Sequence, residues 1–117
     1  YCKSRPDTIC MTHMSHVYPQ GANLYWIFIT KMSDPADFKA YHAGILDAIQ
    51  KSGASMSHHH GIGKMFAPWL EYSLGQNEYA VIKALKEHFD PNYIMNPGGT
   101  LGLDLSESEK VSKNIKL

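Results

Sequence analysis

The stretch TICMTHMSHVYPQGANLYWIFIT, residues 8–30, decides the fold, because it sets two apolar runs of strand length around a turn signal. From Thr8 to His16, Ile9, Met11 and His13 alternate with Cys10, Thr12, Met14 and His16. That is the period of two of an extended chain, whose side chains point alternately to opposite faces. The second run, Leu24 to Thr30, is continuously aromatic or β-branched, the composition of a strand covered on both faces. Between them YPQGAN puts Pro19 and Gly21 in turn positions, so the two strands are expected to pair as an antiparallel hairpin.

Outward from the hairpin, Asp34 stands before Pro35, with Asp37 three residues after the cap. A carboxylate there accepts from the free amides of a helix start, and proline at the first position loses no hydrogen bond. Phe38, Tyr41, Ile45, Ala48 and Ile49 then recur at helical spacing as the inward face, until Gly53 offers a left-handed stop. ASMSHH, residues 54–59, reads as a third strand, giving the order β-β-α-β. The fold class is α+β: an antiparallel hairpin plus a βαβ-like unit, a partial ferredoxin-like arrangement, followed by C-terminal helices.

Past Gly63 the pattern is helical around Met65, Trp69 and Leu70, with Pro68 forcing a short or kinked piece. A firmer helix runs over 77–89, with Tyr79, Ile82, Leu85 and Phe89 inward and Glu78, Lys83, Lys86 and Glu87 outward. DPNYIMNPGGTLG, residues 90–102, is too rich in proline and glycine for regular structure. Residues 1–105 thus form one domain, and 106–117 a polar tail, frayed or a short helix started by a Ser106/Glu109 capping box. The opening YCKSRPDTICMTH lacks an initiator methionine and enters a strand almost at once, as in a piece of a longer protein whose first sheet elements are missing.

Eleven basic and eleven acidic residues cancel, and no basic stripe interleaves with aromatics, so nucleic acid is not an expected partner. The longest apolar run, Leu24 to Ile29, is far too short to span a bilayer, and the N-terminus carries no signal pattern. Cys2 and Cys10 match neither a disulfide framework nor a metal or redox pair; two reduced thiols, with Cys10 buried, point to a cytoplasmic protein.

SMSHHHGIGK, residues 55–64, lies too far from either end to be an affinity tag. On a strand His58 and His60 share one face and His59 points away, so the three cannot bind one metal together. Zinc would need His13 or His16 in addition, and no closely spaced cysteine or carboxylate joins them, so no metal is expected. Gly61 and Gly63 mark a sharp bend or a close approach of the backbone just after the imidazoles. Titratable groups at a strand end beside such a turn are often catalytic; the same spacing suits histidines that only satisfy a strand end.

SMSHHHGIGK, then Trp69, a helix and HFDPNYIMNPG, together with Tyr18 and Gly21 before LYWIF, resembles the C-terminal region of FAD-linked oxidases of the vanillyl-alcohol oxidase superfamily. Within it the pattern is most similar to the alkyldihydroxyacetonephosphate synthase branch of ether-lipid synthesis. The resemblance implies a cap or substrate domain that closes over FAD, the cofactor being held mainly by a separate N-terminal FAD-binding domain of the parent chain. No glycine-rich pyrophosphate loop occurs in the present sequence. It further implies a small-molecule substrate and leaves room for a homodimer. By position Tyr18 matches the family's proton-transferring tyrosine, and His58, His59 and His60 its histidine run. Asn96 and Pro97 match the loop that returns to the flavin. The runner-up is a metal-assisted dehydrogenase of 2-hydroxy acids such as glycolate or D-lactate. That type places a second hairpin histidine where Tyr25 stands and a glutamate where His59 stands, so two of its three ligands are gone. A reading from another class, a non-catalytic binding or assembly module, requires only that the histidines serve structure.

Overall fold

The computed structural model describes residues 1–99 and 101–103, so the tail and its Ser106/Glu109 capping box lie outside the described residues. The chain divides into two compact units, Tyr1–Ala48 and a second that begins at Ile49.

In the first unit, strands β1 (Thr8–Tyr18) and β2 (Gly21–Thr30) form the expected antiparallel hairpin. Pairing runs from Thr8↔Thr30 to Tyr18↔Gly21, leaving only Pro19 and Gln20 in the turn, so both strands are longer than their apolar patterns. The ladder is interrupted once, between Ser15 and Val17, where His16 has a φ of 51°. An extra residue in one strand is a β-bulge, and it shifts the side-chain parity beyond it. Tyr18 therefore pairs with Gly21 and shares the face of Asn23, Tyr25, His13 and Ile9, where strict alternation along β1 sets it with Cys10 and Met14.

Helix α1 (Pro35–Lys51) begins as expected: the Asp34 carboxylate accepts from Ala36 N at 2.8 Å, a cap that contributes about 1 kcal/mol. It ends where Ser52 N and Gly53 N donate to Ile49 O and Gln50 O, with Gly53 at a φ of 76°. Tyr41, Ala43, Ile45 and Leu46 are buried, whereas Ala48 is exposed and Phe38 and Ile49 are only partly covered. Aromatic contacts of the first unit gather around Tyr41. Phe28 meets its ring edge-on at 5.5 Å, Tyr1 stacks at 5.6 Å, and its hydroxyl donates to Cys2 O at 2.9 Å. Arg5 lies over the same ring and pairs through both guanidinium nitrogens with Asp37, whose carboxyl it holds below the usual carboxylate range.

Three expectations are corrected. Residues 54–62, including ASMSHH, form no strand, and the sheet of the described residues has two strands; ASMSHH holds no β-branched residue to favour extended backbone. The run Leu24–Thr30 is not covered on both faces: Phe28 packs on Phe38 and Tyr41, while Trp26, Ile27 and Ile29 are about half exposed. Cys10 is half-buried rather than buried, and partial burial with the neighbouring Cys2 sulfur pushes its thiol up.

In the second unit, Pro68 divides the helical stretch as anticipated into α2 (Gly63–Phe66), a 3-10 turn Ala67–Trp69 and α3 (Leu70–Leu74). Helix α4 (Gln76–Phe89) follows. Its inward face is Tyr79 alone, buried with Leu70 and Leu101; Ile82, Leu85 and Phe89 are exposed, contrary to the periodicity, because the described residues supply no surface to cover them. Residues 90–99 are irregular.

Candidate active site

Tyr18 stands at the hairpin tip, where the two-residue turn places it and the His16 bulge determines its face. Farther along that face, the Tyr25 ring lies between two imidazoles, 5.8 Å from His13 and 6.3 Å from His16. All of this belongs to the first unit.

The histidine run belongs to the second. It follows the Gly53 stop and occupies bends, so the alternation of a strand, with His58 and His60 on one face, does not hold. Consecutive rings touch instead: His58 and His59 edge-on at 5.1 Å, His59 and His60 edge-on at 4.2 Å. Nδ1 of His58 and Nδ1 of His59 are 2.8 Å apart, so one ring donates and the other accepts. A neutral imidazole has one N–H and one bare nitrogen, and this contact therefore makes opposite tautomers of two adjacent rings. All three rings are exposed. Gly61 and Gly63 have φ values of 75° and 57°, and an added Cβ at either meets nothing within 4 Å of this chain. Positive φ at both glycines bends the chain sharply from the imidazoles into α2.

Asn96 and Pro97 lie in the loop after α4, with Asn96 at a φ of 49° and its carbonyl accepting from Gly99 N at 3.1 Å. Both are exposed. What the sequence reading missed is the carboxylate that holds this loop. Asp90 is 7% exposed; its Oδ1 accepts from Ile94 N and its Oδ2 from Met95 N, each at 2.9 Å, and it pairs with Lys86. The ammonium and the two amides keep its carboxyl below the usual carboxylate range. An aspartate just past a helix with a lysine four residues earlier was the available signal.

Residues 3–100 match the family of FAD linked oxidases, C-terminal domain. The chain belongs to this family. It is 39% identical over 95 residues to an alkyldihydroxyacetonephosphate synthase of Dictyostelium discoideum, covering 79% of this chain and 15% of the synthase. To an uncharacterized FAD-linked oxidoreductase, YgcU, of Escherichia coli (strain K12) it is 37% identical over 93 residues, 74% of this chain and 19% of that protein. A D-2-hydroxyglutarate dehydrogenase of Stutzerimonas stutzeri shares 44% identity over a shorter 54 residues, 46% of this chain and 12% of the dehydrogenase. The chain thus spans less than a fifth of the length of these relatives. The family's cofactor is FAD, and the resemblance drawn from the histidine run and the Asn96–Pro97 loop agrees with the match. No helix among the described residues is long and apolar enough to cross a membrane.

The exposed Asn96–Pro97 turn and the open space beside Gly61 and Gly63 leave backbone accessible to a flat ligand.

Proposed function

We propose that this chain is the substrate-closing domain of an FAD-dependent enzyme of the alkyldihydroxyacetonephosphate synthase type, working with an N-terminal FAD-binding domain on a small-molecule substrate. Tyr18 and the imidazoles of His58, His59 and His60 serve as its acid and base groups, and the Asn96–Pro97 turn covers the cofactor. When bound, FAD would supply the isoalloxazine ring at which the substrate reacts. The observation that carries the reading is the Nδ1 to Nδ1 contact of 2.8 Å between His58 and His59. While both rings are neutral, the ring that donates at Nδ1 has an unprotonated Nε2 that can take a proton, and the imidazolium so formed is the species that can give it back. A reaction that removes a carbon-bound proton and activates an alcohol needs a base for each step, and imidazole suits both near neutral pH. Two free thiols agree with a cytoplasmic setting. A homodimer is compatible with the exposed apolar side chains of β1, β2 and α4.

The test is kinetic, on the flavin-loaded enzyme. His59→Ala, His60→Ala and Tyr18→Phe should each slow the chemical step by about a hundredfold or more, with unfolding little changed. Normal turnover with a much lower melting temperature would make the histidines structural, as in a binding or assembly module. A second reading, a 2-hydroxy-acid dehydrogenase, is favoured by the similarity to the D-2-hydroxyglutarate dehydrogenase. Flavin reduction by a 2-hydroxy acid under anaerobic conditions would decide for it.

A further inference from the structure

The loop after α4 is anchored at both ends to one face of that helix. At its start, Asp90 takes the amides of Ile94 and Met95, and Lys86 Nζ bridges the Asp90 carboxylate and Met95 O, the latter at 2.5 Å. At its end, the Tyr79 hydroxyl donates to Leu101 O at 2.7 Å in the buried cluster of Leu70, Tyr79 and Leu101. Between the anchors Tyr93 and Asn96 both adopt left-handed backbone, at φ values of 52° and 49°, and Tyr93 donates through its hydroxyl to Glu87 at 3.1 Å. Left-handed backbone costs a non-glycine residue about 1 kcal/mol or more and persists only where its surroundings impose it. Yet the loop buries little apolar surface of its own, since Ile94 and Met95 are 74% and 70% exposed. Hydrophobic burial therefore does not hold this conformation, and a nearly buried carboxylate with three donors does.

We propose that Asp90, with Lys86, is a positioning residue that clamps residues 93–97 so that the Asn96–Pro97 turn stands ready to meet the cofactor; this rests on the proposed cofactor role of that turn. The carboxylate is suited to the task because its two oxygens receive consecutive amides while the ammonium fixes the carbonyl that follows them, Met95 O. Asparagine cannot reproduce this: its amide offers one acceptor oxygen, and its NH2 group turns donors toward a donor. Asn96 completes the turn with its own amide, packed against Gly99 so closely that a Cβ there would come within 2.3 Å of it.

The experiment has two readouts, in the intact flavoenzyme. Amide exchange at Ile94 and Met95 should quicken at least about tenfold in Asp90→Asn and in Lys86→Met, while the amides in the middle of α4 keep their protection. FAD affinity is then measured for Asp90→Asn, Asn96→Gly and the double variant; glycine keeps the left-handed backbone at 96 and removes the side chain. Each single change should weaken FAD binding about tenfold, and the double variant should be little weaker than either, because groups that act as one unit are not additive. Additive losses, or unchanged exchange at Ile94 and Met95, overturn the clamp. Faster exchange with FAD affinity untouched by Asn96→Gly also overturns the proposal, and locates the failure in the cofactor role of the turn rather than in the clamp. Lys86→Met removes only the ammonium and leaves the Asp90 carboxylate in the chain, so loosening of the clamp can be read by exchange even if Asp90→Asn folds poorly.

Discussion

The same substitution at two buried tyrosines should have unequal consequences. Tyr41 and Tyr79 are 5% and 9% exposed, and each donates its hydroxyl to one backbone carbonyl: Cys2 O at 2.9 Å and Leu101 O at 2.7 Å. Phenylalanine keeps either ring and deletes the donor. Cys2 is half-buried in a short 3-10 turn, so water reaches its carbonyl once the hydroxyl is gone. Tyr41→Phe should then cost the net value of exchangeable hydrogen bonds, about 0.5–1 kcal/mol, without the penalty of a buried unsatisfied carbonyl. Leu101 is 6% exposed and packed with Leu70 and Ile62, so its carbonyl loses a partner without gaining water. Leaving a buried acceptor unsatisfied costs about 1–3 kcal/mol, and Tyr79→Phe should fall in that range. Urea unfolding gives the totals, and native-state amide exchange separates the units through the β1–β2 ladder for Tyr41 and α4 for Tyr79. Equal costs, or a Tyr41→Phe loss larger than that of Tyr79→Phe, would refute the claim that acceptor burial sets the magnitude.

Two further outcomes are expected. Burial beside the Phe38 ring holds the His42 imidazole below its ordinary value of 6.5, so the unfolded chain binds more protons than the folded one between the two values. Stability should be full above 6.5 and fall as pH drops from there through the lowered folded value; a His42→Gln variant whose unfolding between pH 7 and pH 5 matched wild type would contradict this. The 117-residue chain by itself should bind FAD no tighter than about 1 μM, for want of a glycine-rich cradle for the pyrophosphate. Saturable quenching of FAD fluorescence at lower concentration would count against it.

Local chemistry determined much of this protein. The period of two and the Pro19–Gly21 signal specify the hairpin, Asp34 and Pro35 the start of α1, Gly53 its end, and Pro68 the break between α2 and α3. Each depends on residues within a few positions of one another, which a sequence displays directly. The family was legible for a related reason: its signature is a set of short motifs, the histidine run with Gly61 and Gly63 and the loop from Asp90 to Pro97.

Tertiary structure decided what depends on distant partners. Whether Ile82, Leu85 and Phe89 are covered is a property of what lies opposite α4, and periodicity reports only that one face is apolar. Residues 54–59 stand where a third strand was expected after the Gly53 stop, but a strand exists only when another backbone accepts its hydrogen bonds. The face occupied by Tyr18 turned on a single extra residue, His16, in left-handed conformation, which no alternation of side chains announces. Asp90 reads as an ordinary helix stop; only the returning chain, bringing the amides of Ile94 and Met95 to its carboxylate, makes it the anchor of the loop.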